Sequence, residues 1–255
     1  MRATFRYVLL TAMRDRFPVA ILVALIAVTA LGLLISASTL SEGRQTALAL
    51  VAEFFRAALV LGLVTFVCFH VRSLHETREI EAILSRPISR VAFVIAYYGA
   101  FALLAAGLAA LTVPLLMVSL GANGVGMLMW AASLALELWI TVGLALFCAM
   151  ALSSATAAVM VALGFYLLGR TARFFLAIAV SGTGASDQEG VNQGAQGVMA
   201  VVAAIMPRLD LFGQSRWLVY GPGGGWGIDI LLLQTAIYVP LLVAATARDL
   251  HVRKF

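Results

Sequence analysis

Lysine is almost missing from this chain. Of the 17 Lys and Arg residues, only Lys254 is a lysine. A phosphate-binding loop needs a lysine behind its glycines to reach the phosphates. Lys254 stands in HVRKF, far from any such pattern, so the chain is expected to carry no ATPase site of its own. Charge of either sign is scarce as well. Charged residues make up 11% of the sequence, against about 25% in soluble domains. The two cysteines, Cys68 and Cys148, lie inside apolar runs without the spacing of a metal site, and read as small packing residues.

Apolar residues fill the gap. They form 63% of the 255 residues, and mean hydropathy is +1.03. A fold of this length cannot hide so much apolar surface from water, so its solvent is lipid. The runs are of helical length, whereas a barrel would show alternation over about ten residues. The expected class is therefore an all-α integral membrane protein. The net charge of +5 does not point to nucleic acid, because the basic residues gather at the ends of apolar runs.

Residues 1–17 place Arg2, Arg6 and Arg14 on one helical stripe, beside an apolar stripe of Phe5, Leu9, Met13 and Phe17. That pattern predicts a helix lying along the membrane interface. Six spans are expected, over residues 18–37, 49–71, 91–120, 127–150, 155–168 and 228–247. Glu53 and Arg56, three apart, are expected to pair at the outer boundary of the second span. Pro114 should bend the far end of the third. Residues 169–227 hold apolar pieces too short to span, around a polar loop, and are expected to form short re-entrant outer helices. Trp217, Tyr220 and Trp226 would form an aromatic belt there.

With six spans both termini share a side. That side carries eleven basic residues in residues 1–17, the loop 72–90 and the tail; the other carries six: Arg44, Arg56, Arg170, Arg173, Arg208 and Arg216. The positive-inside rule makes the richer side cytoplasmic, as expected of a bacterial inner-membrane protein with both termini inside.

Between the second and third spans lies HETREIEAILSRPISR, from His75 to Arg90. At helical period Leu74, Ile80, Ile83 and Leu84 line one side, while Glu76, Glu79, Arg86 and Arg90 face outward. Pro87 disfavours helix at Arg86, so a short amphipathic helix should end there, joined without slack to the next span. From physics alone a solvated loop carries about equal weight, since charge runs are usually solvated faces. HETRE misses a zinc-protease pattern because Glu79 stands where the second histidine belongs. Ser186 and His251 would fall on opposite sides of the membrane, out of reach for nucleophilic catalysis. GPGGGWG has no strand before it and reads as a hinge.

REIEAILSRPISR (Arg78 to Arg90) resembles the cytoplasmic segment of permease subunits in the type-2 ATP-binding-cassette exporter family. MPRLDLF (Met206 to Phe212) and ARDL (Ala247 to Leu250) are similar to two further elements of that family. The sequence departs from the pattern at Glu81-Ala82, where many members have a Glu-Gly-Thr turn. The resemblance implies a coupling helix docked on a cytosolic ATPase, with Glu76, Arg78, Glu79, Glu81, Arg86, Pro87 and Arg90 as coupling residues. It also implies two ATPase copies that hold ATP and Mg, and a second permease copy, identical or paralogous. Within this chain no cofactor, metal or catalytic residue is expected.

Glu137, near the middle of the fourth span, is the one isolated intramembrane charge. A carboxylate there costs roughly 2.5–3.5 kcal/mol on insertion scales, so it must face protein or a watery path. It reads either as a tie between helices or as a point on a translocation path. A stand-alone carrier or channel using Glu137 as its ion or proton site is the alternative to the permease reading. Carriers often show paired broken helices in two halves, and only one short-helix region is evident in the sequence.

Overall fold

The computed structural model of the chain describes residues 2–14, 16–38, 43–77, 89–120, 124–181, 197, 206–221 and 227–252. These residues are all helical or irregular, without strands. The helices are α1 (Arg2–Arg14), α2 (Phe17–Ser38), α3 (Gly43–Glu76), α4 (Arg90–Leu120), α5 (Val125–Ala151), α6 (Ala155–Ser181), α7 (Arg216–Tyr220) and α8 (Ile228–Val252), with a 3-10 turn at Leu209–Leu211. Five of them, α2, α3, α4, α5 and α8, are long and apolar enough to cross a membrane. The chain is an all-α membrane protein.

Helix α5 is the axis of the bundle. It packs against α3, α4, α6, α7 and α8, and residues on every side of it are buried. A helix that is apolar all round belongs in a core, and Trp130, Leu134, Leu138 and Val142 show why: none is more than 1% exposed. Helices α2 and α3 form an antiparallel pair in which Gly32 lies under Val51, Ile21 over Gly62 and Phe17 on Phe66, their rings 4.3 Å apart. Small residues let the two backbones approach, which is how helices gain contact when the hydrophobic effect between them is absent.

The amphipathic helix at the start is present; Val8 and Ala12 are buried, and the half-buried Phe5 packs on α4 at Gly99. Arg6 and Arg14 are exposed, as the stripe reading requires. Phe5, Val8 and Ala12 follow the three-and-four spacing of a helix docked on a helix. Helix α4 continues through Pro114 to Leu120.

A larger difference concerns the end of the fifth apolar run. The break expected after Leu168 does not occur, and α6 continues unbroken to Ser181, taking in the residues expected to start a first re-entrant helix. Gly169 alone costs a helix only about 1 kcal/mol, and the two polar side chains next to it are satisfied. Thr171 donates its hydroxyl to the Leu167 carbonyl at 2.8 Å, and Arg170 finds carboxylates inside the bundle. The apolar piece around 198–205 and the loop 182–196 lie outside the described residues, as does Trp226.

Residues 206–221 do enter the bundle. Leu209, Leu211, Phe212 and Trp217 are buried, and the Pro207 carbonyl comes against Gly169, twelve residues before the end of α6. Irregular backbone at such depth has to be covered by protein. Ser133 of α5 supplies a hydroxyl to the Phe212 carbonyl at 3.2 Å, and Gly126 leaves room for the Trp217 carbonyl. Trp217 therefore belongs to the core and not to an aromatic belt, whereas Tyr220 is 81% exposed.

Candidate functional site: a closed ring of charges

Glu137 lies twelve residues after Val125 and fourteen before Ala151, or about 18 and 21 Å along α5 at 1.5 Å per residue. Its side chain is fully buried. Helix α3 brings Arg56 against it, 1% exposed, with Nη1 donating to Glu137 Oε2. Helix α6 brings two more donors to the other carboxylate oxygen. Tyr166 donates its hydroxyl to Oε1 at 2.8 Å, and Arg170 Nη1 donates to Oε1 at 3.1 Å.

Arg170 also reaches α3, where Nη2 donates to Glu53 Oε2 at 2.6 Å. The same Glu53 oxygen lies 3.9 Å from Arg56 Nε, which closes the ring Arg56–Glu137–Arg170–Glu53. Ser215, beside α7, donates to the free Glu53 oxygen at 2.7 Å and so fastens the inserted segment to the ring. The Arg56 guanidinium carbon also lies 5.8 Å from the centroid of the Trp130 ring, in cation–π range.

Two guanidiniums and two carboxylates make the ring formally neutral. Each alone in lipid would cost several kcal/mol, and each carboxylate here accepts from more than one donor, the condition under which a buried pair is tolerated. The geometry ties α3, α5 and α6 together. Gly213 is part of the fit, because a Cβ there would press on the Arg170 guanidinium.

The sequence pointed to Glu137 and to the Glu53–Arg56 pair, but separated them. Glu53 and Arg56 do pair, at 3.9 Å, and Arg56 extends the pair to Glu137. Arg170, counted among the residues of the outer side, also joins the ring, and nothing in the sequence marks Tyr166 as its neighbour. The available signal was the inventory of charge in apolar runs: two acidic and two basic residues in otherwise apolar helices have reason to find one another.

At the opposite end of α3, Glu76 accepts from Arg72 Nε at 3.0 Å in an i,i+4 pair that is well exposed. Arg78, Glu79, Glu81, Arg86 and Pro87 lie outside the described residues, so the expected coupling helix does too. Arg90 is half-buried and does not simply face outward. Its Nη1 donates to the backbone carbonyl of Leu250 at 2.7 Å and to that of His251 at 3.3 Å. A cation on the last carbonyls of a helix satisfies groups with no partner in the helix and complements its dipole. Arg90 thereby fastens the first residue of α4 to the end of α8. His75 engages the Val71 carbonyl through Nδ1 at 2.9 Å.

No protein-family model matches the chain, and the comparison with curated proteins finds no match.

Proposed function

We propose that this chain is the permease subunit of an ATP-driven exporter of the type-2 ATP-binding-cassette kind, forming the substrate pathway as a dimer and driven by separate ATPase subunits. The observation that carries the reading is the bond from Arg90 to the end of α8. The polar segment 78–88 leads directly into Arg90, so a push on that segment would reach α4 and α8 together. A loop that served topology alone would have no need of such a joint. In this reading α6 is the fifth of six spans, and its 27 residues, about 40 Å of helix, are long enough to cross.

Charge distribution supports the orientation. With Arg56 and Arg170 removed to the interior, the side opposite the termini keeps only Arg44, Arg173, Arg208 and Arg216 against eleven basic residues. The bias toward a cytoplasmic polar segment and cytoplasmic termini is therefore stronger than the raw sequence suggests. The carrier alternative loses ground for a separate reason. Both oxygens of this carboxylate already accept from arginine or tyrosine, which leaves no open face for a transported cation.

The test is co-purification of the membrane protein with its cytosolic ATPase. Reversing Glu79 and Arg86 together (Glu79→Arg, Arg86→Glu) should abolish retention of the ATPase while membrane insertion and elution volume stay unchanged. Retention equal to that of the unaltered protein would refute docking through this segment.

A further inference from the structure

A cavity of about 330 Å³ lies on the far side of Tyr166 from the ionic ring, between α5, α6 and α8. Its floor runs along α5 from Ile140 to Leu152, about 18 Å of helix. Pro207 and Leu209 of the inserted segment also border it. Ligand pockets range from roughly 300 to 1,000 Å³, so this volume spread along twelve residues describes a narrow slot and not a chamber for a bulky ring system.

The walls are almost wholly apolar. Two of the hydroxyls that line it are committed elsewhere: Thr141 donates to the Glu137 carbonyl at 2.9 Å and Tyr166 to the Glu137 carboxylate. Water gains little in such a place, since apolar cavities of this kind stay dry. An empty slot would forfeit dispersion contacts along its whole lining. Helices α6 and α8 both pack on α5 without packing extensively on each other. The side chains at their facing edges, Val161, Phe165 and Leu241, are at least 38% exposed. The mouth therefore opens sideways, toward the surroundings of the bundle, and away from the charges.

We propose that this slot binds one acyl chain of a bilayer lipid, entering laterally between α6 and α8 with its headgroup left at the membrane surface. The occupant is a hydrocarbon chain because the slot offers carbon and sulfur surface and no charge. It comes from the bilayer because the mouth is rimmed by exposed apolar side chains of α6 and α8, the surface a membrane helix turns to lipid. The bound chain packs on the ring of Tyr166, whose hydroxyl holds Glu137, so the slot and the ionic ring share one side chain. The proposal requires only that the helices lie in a membrane and is independent of the exporter reading.

The test uses the full-length protein in vesicles of phosphatidylethanolamine and phosphatidylglycerol, doped with phosphatidylcholine bearing a diazirine near the end of one acyl chain. After illumination, adducts are mapped by peptide mass spectrometry. They should concentrate on the floor residues Leu144 and Phe147 relative to the lipid-facing residues Leu33 and Leu34 of α2. Leu144→Trp, which fills the slot, should cut adducts at Phe147 about tenfold, the change expected for a binding loss of roughly 1.4 kcal/mol, and leave those on α2 unchanged. Should that variant not fold, Val161→Trp at the exposed rim blocks the mouth instead. Adducts at Phe147 no denser than on α2 in the unaltered protein, or undiminished in a folded blocked variant, would overturn the proposal.

Discussion

Glu137 of α5 and Arg56 of α3 meet as a buried ion pair, 81 residues apart in sequence, with neither side chain more than 1% exposed. Removing one partner from a buried pair leaves an uncompensated charge at a cost of about 3–5 kcal/mol. Arg56→Met alone should destabilise the protein, by less than that full amount, because Glu137 would keep Arg170 and Tyr166. Arg56→Met combined with Glu137→Met should be markedly less unstable than the two single effects added together. Denaturant titration in mixed micelles, arranged as a double-mutant cycle, reads the coupling directly. Additive effects would mean that the two residues act independently.

Gly126 and Gly164 make a controlled comparison. A Cβ on Gly126 would run into the backbone of Trp217, which cannot swing aside as a flexible side chain would, whereas a Cβ on Gly164 meets nothing within 4 Å. Gly126→Ala should cost roughly 1–3 kcal/mol and loosen the inserted segment, seen as faster hydrogen exchange over residues 207–220. Gly164→Ala should be neutral or slightly stabilising, since alanine is the better helix former by about 1 kcal/mol. Equal exchange in the two variants would contradict the close approach.

The joint at Arg90 predicts a local effect at a distance in sequence. Arg90→Leu should remove charge-assisted hydrogen bonds worth about 1.5–3 kcal/mol and raise exchange in the last turn of α8, around residues 248–252. Arg90→Lys should recover part of the protection, because a single ammonium can still reach one carbonyl but lacks the guanidinium fork.

Orientation can be read with single cysteines at positions 85, 186 and 193 in a background without Cys68 and Cys148. A membrane-impermeant thiol reagent on intact cells should label positions 186 and 193 and spare position 85. The reverse pattern would invert the protein in its membrane and remove the cytoplasmic segment on which the exporter reading depends.

The helices themselves were legible in the sequence because length and apolarity decide them in lipid. The expected runs at 18–37, 49–71, 91–120, 127–150 and 228–247 all fall within observed helices. What periodicity could not supply was the boundary at Leu168. Polar residues read as the end of a span, yet Arg170 and Thr171 continue one, since their partners lie in the helix itself or across the bundle. Glu137 was identifiable from its cost in lipid, but the identity of its partners was not. Arg56 and Tyr166 lie 81 and 29 residues away, and only helix packing decides which charges face one another. The same holds for Arg90, whose partners are backbone carbonyls 160 residues on, groups that every residue carries and no motif can mark.

The neutrality of the ionic ring has an electrical consequence. A membrane potential does about 2.3 kcal/mol of work per 100 mV on each elementary charge carried across it. Glu53, Arg56, Glu137 and Arg170 sum to zero formal charge within one cluster that spans three helices. If α3, α5 and α6 shift together along the membrane normal, the ring moves no net charge through the field. The ring would then add nothing to any gating current, and a voltage dependence of the motion would have to come from charges elsewhere on the helices.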